Sequence, residues 1–372
     1  MKFICEKDKL LIGLNSVSRA SVGRTTTPIL EGIFINVRKN TVILTTNDLD
    51  IGMEYTLDDV ETIEEGKVVV DCKMFGEIIR KLPNERITFY INDKSLLVIE
   101  CEGSVYKLST MNADEFPVLP QIDVEKKISL SQGALKEMIK KTIFAVSVEE
   151  NRPIFTGCLI EVKDDELNVV AVDGYRLALR KLPMGPGIEK FNAIVPGKYL
   201  NEIVKNLQDI DEVIEIGISK NQALFELKNC KIVSRLLEGE FLNYNSVIPA
   251  EKETRIKVNK AALQNAIERA AIFSSSSAEK EKKYPIKMFV SLGSVIISCT
   301  SQVGDAKEEV LVETTGKELE IGFNHKYLLD ALKVIEDDEV YLDFGSSISP
   351  CIIKPIVDNK YTYMVLPVRL KE

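Results

Sequence analysis

Three stretches of this chain set two cations seven residues apart, a spacing suited to presenting positive charge to an anion. They are Cys72–Arg80, Gly197–Lys205 and His325–Lys333, led by Lys73, Lys198 and Lys326. At about 100° per residue, Lys73 and Arg80 point about 20° apart on a helix. Lys198 with Lys205 and Lys326 with Lys333 repeat the arrangement. Phe75, Ile78, Ile79 and Leu82 fall on the opposite side, as do Leu200, Ile203, Val204 and Leu207, and then Leu328, Ala331, Leu332 and Ile335. Each stretch predicts a helix that buries one face and offers a cation pair on the other. Ordinary solvated helix faces also carry Lys and Arg. Glu77, Glu202 and Asp330 stand four residues after the leading lysines and could partly neutralise them as intrahelical pairs.

Other chemistry is poorly supplied. The single histidine, His325, follows Asn324 and is expected to open the third lysine-led helix. Seven scattered cysteines form no Cys-x-x-Cys pair, so neither a zinc site nor a disulfide framework is indicated. Gly197-Lys198 and Gly316-Lys317 lack the earlier glycine and the hydroxyl of a phosphate loop. Met184-Gly185-Pro186-Gly187 reads as a turn. The chain holds 57 Asp and Glu residues, yet no pair stands out by spacing. An enzyme is not expected, nor a metal or cofactor. A carboxylate-based active site remains the less favoured alternative.

The elements that position the cations recur with them. The leading lysines lie 125 and then 128 residues apart, and Leu10, Leu135 and Leu263 keep the same steps. So do Asp48, Asp173 and Ser301, each just after a β-rich run, while Phe116 and Phe241 are 125 apart. Alternating runs such as Ile87–Ile91 and Val340–Phe344 follow the lysine-led helices and predict strands with one buried face. A fixed period marks repeated structural units. The expected architecture is an α+β module present three times, with domains at 1–122, 123–250 and 251–372. Polar, proline-bearing joints at 119–127 and 248–254 are too short to be free tethers. The Ser274–Ser277 run and the charged residues up to Lys283 are expected to form a mobile loop.

A net charge of −9 argues against a wholly basic nucleic-acid surface, but local cation pairs can coexist with an acidic exterior. Hydrophobic content of 45% and charged content of 28% describe an ordinary soluble chain. No run approaches the ~18 apolar residues of a membrane span, and the charged start lacks a signal-peptide core. With reduced cysteines, these features point to the cytoplasm.

Met1-Lys2-Phe3, Gly23-Arg24, Thr27–Leu30, Asp173–Leu177, Val195–Lys198, Ile321–Asn324 and Met364–Leu370 together resemble the bacterial DNA polymerase III beta subunit family, the sliding clamps. The resemblance covers the whole chain. It implies three tandem domains of the DNA-clamp fold, and two chains joined head to tail in a ring with helices lining the hole and sheets on the rim. The implied function is to encircle duplex DNA without sequence specificity and tether the replicative polymerase, conferring processivity. Implied partners are a second copy, duplex DNA, the polymerase catalytic subunit, the clamp loader, and other replication and repair proteins bearing short hydrophobic motifs. Arg24, Lys198 and Arg152 are the DNA contacts the resemblance favours, and Lys73, Arg80 and Lys205 join them through the helix geometry. Basic residues common in the family are replaced here by Gly197 and Ser246, which is expected to weaken or move the second-domain contact.

The resemblance also implies a partner-peptide groove formed by Phe155, Val172, Gly174, Tyr175, Arg176, Leu177, Leu242, Val247, Met364, Leu366, Pro367, Val368 and Arg369. Val172 and Leu242 stand where threonine and proline are frequent, and Arg176 is expected to meet a peptide carbonyl or carboxylate. The tail from Tyr363 to Val368 is apolar for a chain terminus, and Met364 suits a surface that accepts varied partners. Ile272 and Phe273 are expected to meet Tyr106 and Leu108 of a second chain. A repeat-built interaction scaffold that never encloses DNA is the alternative reading.

Overall fold

The computed structural model describes residues 1–21, 23, 25–149, 151–274 and 284–370. Arg24 and the 275–283 part of the expected loop lie outside them. Among the described residues the chain is α+β, with three antiparallel sheets and seven short α-helices. The helices are α1 (Lys7–Val17), α2 (Cys72–Lys81), α3 (Gln132–Lys140), α4 (Gly197–Asn206), α5 (Tyr244–Val247), α6 (Lys260–Ala270) and α7 (His325–Lys333). The lysine-led stretches are therefore α2, α4 and α7. Leu10, Leu135 and Leu263 occupy α1, α3 and α6, and all three are fully buried.

Local chemistry accounts for where these helices begin. The Asp71 carboxylate accepts a hydrogen bond from the Met74 N–H at 2.6 Å and starts α2. Asn259 does the same for Ala262 at 2.9 Å in α6, and Asn324 for Lys326 at 3.1 Å in α7. Each cap satisfies a first-turn donor that has no partner inside the helix. His325 is the first residue of α7 and is buried.

The repeated aspartates also have a local cause. Asp48 Oδ1 accepts from the N–H groups of Asp50 and Ile51, at 2.9 and 2.7 Å. Asp173 Oδ1 accepts from Tyr175 and Arg176, at 2.9 and 3.0 Å. In both, a carboxylate closes the turn between two strands.

The chain divides into two compact units, Met1–Lys136 with Lys198–Leu236, and Glu137–Gly197 with Leu237–Glu372. The strand pairing explains the division. In the first unit, Cys230–Arg235 pairs with Ile51–Asp58, from Cys230 opposite Tyr55 to Ser234 opposite Ile51. One sheet of thirteen strands then runs from Lys126–Ser131 to Glu61–Glu64. In the second unit, Tyr361–Val365 pairs with Arg176–Pro183, from Tyr361 opposite Arg180 to Val365 opposite Arg176. That pairing builds a nine-stranded sheet, accompanied by a four-stranded sheet with Gly304–Leu311 at one edge. In each unit, a late strand of one repeat adds to a hairpin of the repeat before it.

Candidate functional site

The cationic helix faces form as the spacing predicts. In the first unit, α2 buries Cys72, Phe75 and Ile79 and leaves Lys73 and Arg80 exposed. Its end is fastened from beneath: Lys7 Nζ donates to the Leu82 carbonyl and, at 3.2 Å, to that of Arg80. Arg80 Nη2 donates to Asn15 Oδ1 at 3.3 Å, which steadies the guanidinium on the exposed side. On α4, Lys198 is exposed, its Nζ 4.8 Å from the centre of the Tyr199 ring. Lys205 is partly neutralised, since Nζ meets Glu202 Oε1 at 2.7 Å while Arg19 approaches the same carboxylate at 3.9 Å. Solvated pairs of this kind contribute about 0–1 kcal/mol, so a phosphate can compete for the lysine. In the second unit, α7 buries Leu328, Leu329, Ala331 and Leu332 and exposes Lys326 and Lys333. Arg152 is exposed at the start of a short 3-10 turn, Pro153–Thr156.

All thirteen residues expected in the groove lie in the second unit. Val172, Leu177 and Met364 are buried in one apolar cluster with Leu159, Leu179 and Tyr244. Phe155, Leu242 and Val247 pack against it while remaining partly exposed. Phe155 meets Phe241 edge to face, ring centres 6.0 Å apart. The tail is fixed by backbone bonds, Leu366 N to Tyr175 O and Val368 N to Gly322 O, both 2.8 Å. Gly174 takes φ +92°, a conformation that suits glycine in this turn. The tail enters the sheet through Tyr361–Val365 and leaves it at Leu366, so its apolar residues divide between core and surface.

Arg176 is engaged by partners within the chain. Its Nε donates to Asp173 Oδ2 at 2.9 Å and its Nη1 to Asp330 Oδ2. The guanidinium lies over the Tyr327 ring at 4.7 Å and near that of Phe144 at 5.5 Å. These partners hold Arg176 as a strut under the exposed Tyr175, which stacks on Tyr327 with ring centres 6.0 Å apart. Sequence reasoning placed Asp330 beside Lys326 and did not bring it, Tyr327 or Phe144 to this surface. The one available signal was the Lys-Tyr-Leu triplet shared by α4 and α7.

The residues expected at a chain–chain contact lie on or beside open sheet edges. Ser104–Met111 pairs with Leu96–Cys101, but on its other side, among the described residues, only Thr110 and Met111 pair, with Val70 and Val69. Tyr106 is exposed on that strand and Leu108 half-buried. In the second unit, Gly304–Leu311 pairs only with Ser294–Ser301 among the described strands. Ile272 is 65% exposed. Phe273 packs against Gly304, where a Cβ would lie 2.8 Å from the phenylalanine ring. Arg269 grips Glu308 of this edge strand through two bonds, at 3.0 and 2.6 Å.

Metal-ligating side chains and thiols are the remaining candidates among the described residues. No group of three or more His, Cys, Asp or Glu residues among them is placed to hold a metal. All seven cysteines are buried, and burial pushes the Cys72 thiol up to about 11 and the Cys158 thiol up to about 12. Thiols held protonated in this way are weak nucleophiles.

Known proteins agree with this architecture over the full length. Models of the N-terminal, central and C-terminal domains of the DNA polymerase III beta subunit match residues 1–120, 129–243 and 245–369. The beta sliding clamp of Staphylococcus epidermidis is 37% identical over 378 residues, covering 99% of each chain. The crystal structure of the Bacillus subtilis DNA polymerase sliding clamp superposes with a TM-score of 0.95 at 35% identity, covering 100% of both chains. A DNA polymerase III beta subunit structure from Eubacterium rectale gives 0.93 at 36%, covering 99% of both. With three tandem α+β clamp domains matched along its length, the chain belongs to the DNA polymerase III beta subunit family, the beta sliding clamps, which are non-catalytic processivity subunits.

Proposed function

We propose that two copies of this chain close head to tail around duplex DNA and hold the replicative polymerase there through a short apolar peptide. The observation that carries this reading is the apolar surface of the second unit, with Val172, Leu177 and Met364 as floor and Phe155, Leu242 and Val247 as rim. A surface of this composition fits leucine- or phenylalanine-bearing peptides, each buried anchor contributing ~1.5–3 kcal/mol. Gly174, Tyr175, Leu366, Pro367, Val368 and Arg369 extend the rim, and Arg176 positions Tyr175. The partners of this surface are the polymerase catalytic subunit, the clamp loader, and other replication and repair proteins carrying such peptides.

Lys73, Arg80, Arg152, Lys198 and Lys205, with Arg24, face DNA phosphates in this reading. Contacts to phosphates carry no sequence information and weaken with salt, so they restrain the protein without stopping its movement along the duplex. A ring needs no tight grip, because topology retains it. Tyr106 and Leu108 of one chain meet Ile272 and Phe273 of the other, and the open edges beside them continue one sheet into the next. A heterologous contact of this kind closes into a ring when its rotation closes. The three domains are read as residues 1–122, 123–250 and 251–372, and the protein as cytoplasmic. Among the described residues no helix is long and apolar enough to cross a membrane.

The testing experiment is primer extension by the cognate polymerase on circular template, with an excess of competitor DNA. Loading this chain should lengthen the product made per binding event at least tenfold. Unchanged product length, with the chain demonstrably on the template, would contradict the reading.

A further inference from the structure

In the second unit, the end of α3 meets the residues that follow α7 through charge. Lys141 Nζ bonds to Glu137 Oε1 at 2.7 Å and to Glu336 Oε2 at 2.9 Å. Glu137 also receives Nη2 of Arg180. Lys360 Nζ donates to Asp337 Oδ1 at 3.1 Å, and the Tyr361 hydroxyl donates to Oδ2 at 2.8 Å. These side chains line a cavity of about 260 Å³, and all of them belong to the second unit.

The cluster leaves positive charge incompletely paired. Arg180 is only 6% exposed, and its Nε and Nη1 are buried without a hydrogen-bond partner among the described residues. The Tyr361 ring, its centre 5.7 Å from the guanidinium carbon, offers a face but no lone pair. A buried donor without an acceptor is costly, most of all on a charged group. The carboxylates are unequal partners. Glu336 is 82% exposed on its side chain and can turn to water, whereas Glu137 and Asp337 are held by several donors. With Glu336 turned away, Lys141, Arg180 and Lys360 face the cavity against two carboxylates.

The module fold does not require this cluster. The step of 125 residues relates Glu137 to Ile12, Lys141 to Ser16 and Arg180 to Tyr55. Strand register relates Lys360 to Asn229, because Tyr361 stands opposite Arg180 as Cys230 stands opposite Tyr55. All three cations therefore have neutral counterparts in the first unit. The step of 128 residues relates Glu336 to Gln208, and only Asp337 keeps an acidic counterpart, Asp209. The first unit packs an aromatic ring at this place instead: a Cβ on Gly13 would stand 2.8 Å from Tyr55 Cδ1.

We propose that the cavity binds a small oxyanion of the phosphate class, held by the Arg180 guanidinium, Lys141 and Lys360. Such a ligand brings several acceptor oxygens and negative charge to donors that lack both. Glu336 competes with it for Lys141. The bound anion ties α3 to the residues after α7, so it stabilises the joint between the second and third repeats.

The test is calorimetric titration of the full chain with inorganic phosphate, and separately with deoxyadenosine monophosphate, against sodium chloride of equal ionic strength. One saturable site per chain is expected, with a thermal unfolding midpoint that rises with the phosphate probe and not with chloride. Lys141→Ser and Lys360→Asn introduce the first unit's residues, and each should weaken binding about tenfold. Glu336→Gln releases Lys141 and should tighten binding about threefold. Circular dichroism establishes the fold of each variant; if Lys141→Ser does not fold, the half-exposed Lys360 carries the same test. Binding of either probe with this pattern supports the site, and the tighter probe names the source of the phosphate. No saturable binding of either probe overturns the proposal, as do wild-type affinity in the folded lysine variants and weaker binding in Glu336→Gln.

Discussion

Leu242→Lys tests the proposed partner surface apart from the fold. Leu242 lies outside regular secondary structure, partly exposed, with its side chain against the cluster that contains Leu177 and Met364. A lysine there can lay its methylenes over the same apolar atoms and raise its ammonium to water. The loss of folding stability should therefore stay below about 1 kcal/mol, far from the ~2–5 kcal/mol of emptying a core leucine site. A bound peptide meets the opposite situation. Its anchor must displace the lysine stem or desolvate the ammonium, forfeiting ~1.5–3 kcal/mol of apolar burial. That loss corresponds to a ten- to more than hundredfold weaker affinity. Leu177→Lys would be a poorer choice, because Leu177 is 1% exposed and a charge there would attack the core. The assay is calorimetry with a leucine- and phenylalanine-bearing peptide from the polymerase catalytic subunit, after light scattering and circular dichroism have established mass and fold. Wild-type affinity in a folded Leu242→Lys chain would refute the assignment of this surface.

Three further outcomes follow from other parts of the molecule. Ile272→Asp with Phe273→Asp places charge at the proposed apolar chain–chain contact, and light scattering at micromolar concentration should report folded monomers; a persistent dimer would move the interface elsewhere. Lys198→Glu should lower retention on DNA and flatten its salt dependence, more than Lys205→Glu does, because Glu202 already neutralises part of Lys205; equal losses from Lys190→Glu and Lys317→Glu, both in exposed loops, would contradict an oriented cationic face. Glu137→Ala removes the carboxylate that receives Nη2 of the buried Arg180, and should cost about 2 kcal/mol in urea unfolding, less than a fully buried pair because Glu137 is itself partly exposed. Burial pushes the Glu137 carboxyl up, but the Lys141 hydrogen bond and the Arg180 charge outweigh it and leave it below its ordinary 4.5. Its contribution is thus present above about pH 4.5 and lost as pH falls through the lowered value, so the cost of Glu137→Ala should shrink in acid; a cost independent of pH between 7 and 3 would exclude this pairing.

The helices were legible because a 3.6-residue period and a seven-residue cation spacing are local properties. The recurrence of Asp48 and Asp173 after β-rich runs was legible, whereas their part in the turn came from the fold, each carboxylate accepting from the N–H groups two and three residues on. What sequence did not reveal was carried by contacts between distant segments. Asp330 could be assigned to its own helix by spacing, yet its carboxylate reaches Arg176, 154 residues away. Leu177 and Leu366 are both apolar and near the same surface, but only the fold separates a floor residue from a rim residue.

The central claim is that the protein holds DNA by enclosing it. The most direct measurement loads it on nicked circular DNA, removes free protein, and follows retention before and after a single cut in the circle. An enclosing ring should remain on the circle and leave from the ends within minutes of linearisation. Equal retention on the cut and uncut DNA would show that the protein grips the duplex from outside, and would contradict the account.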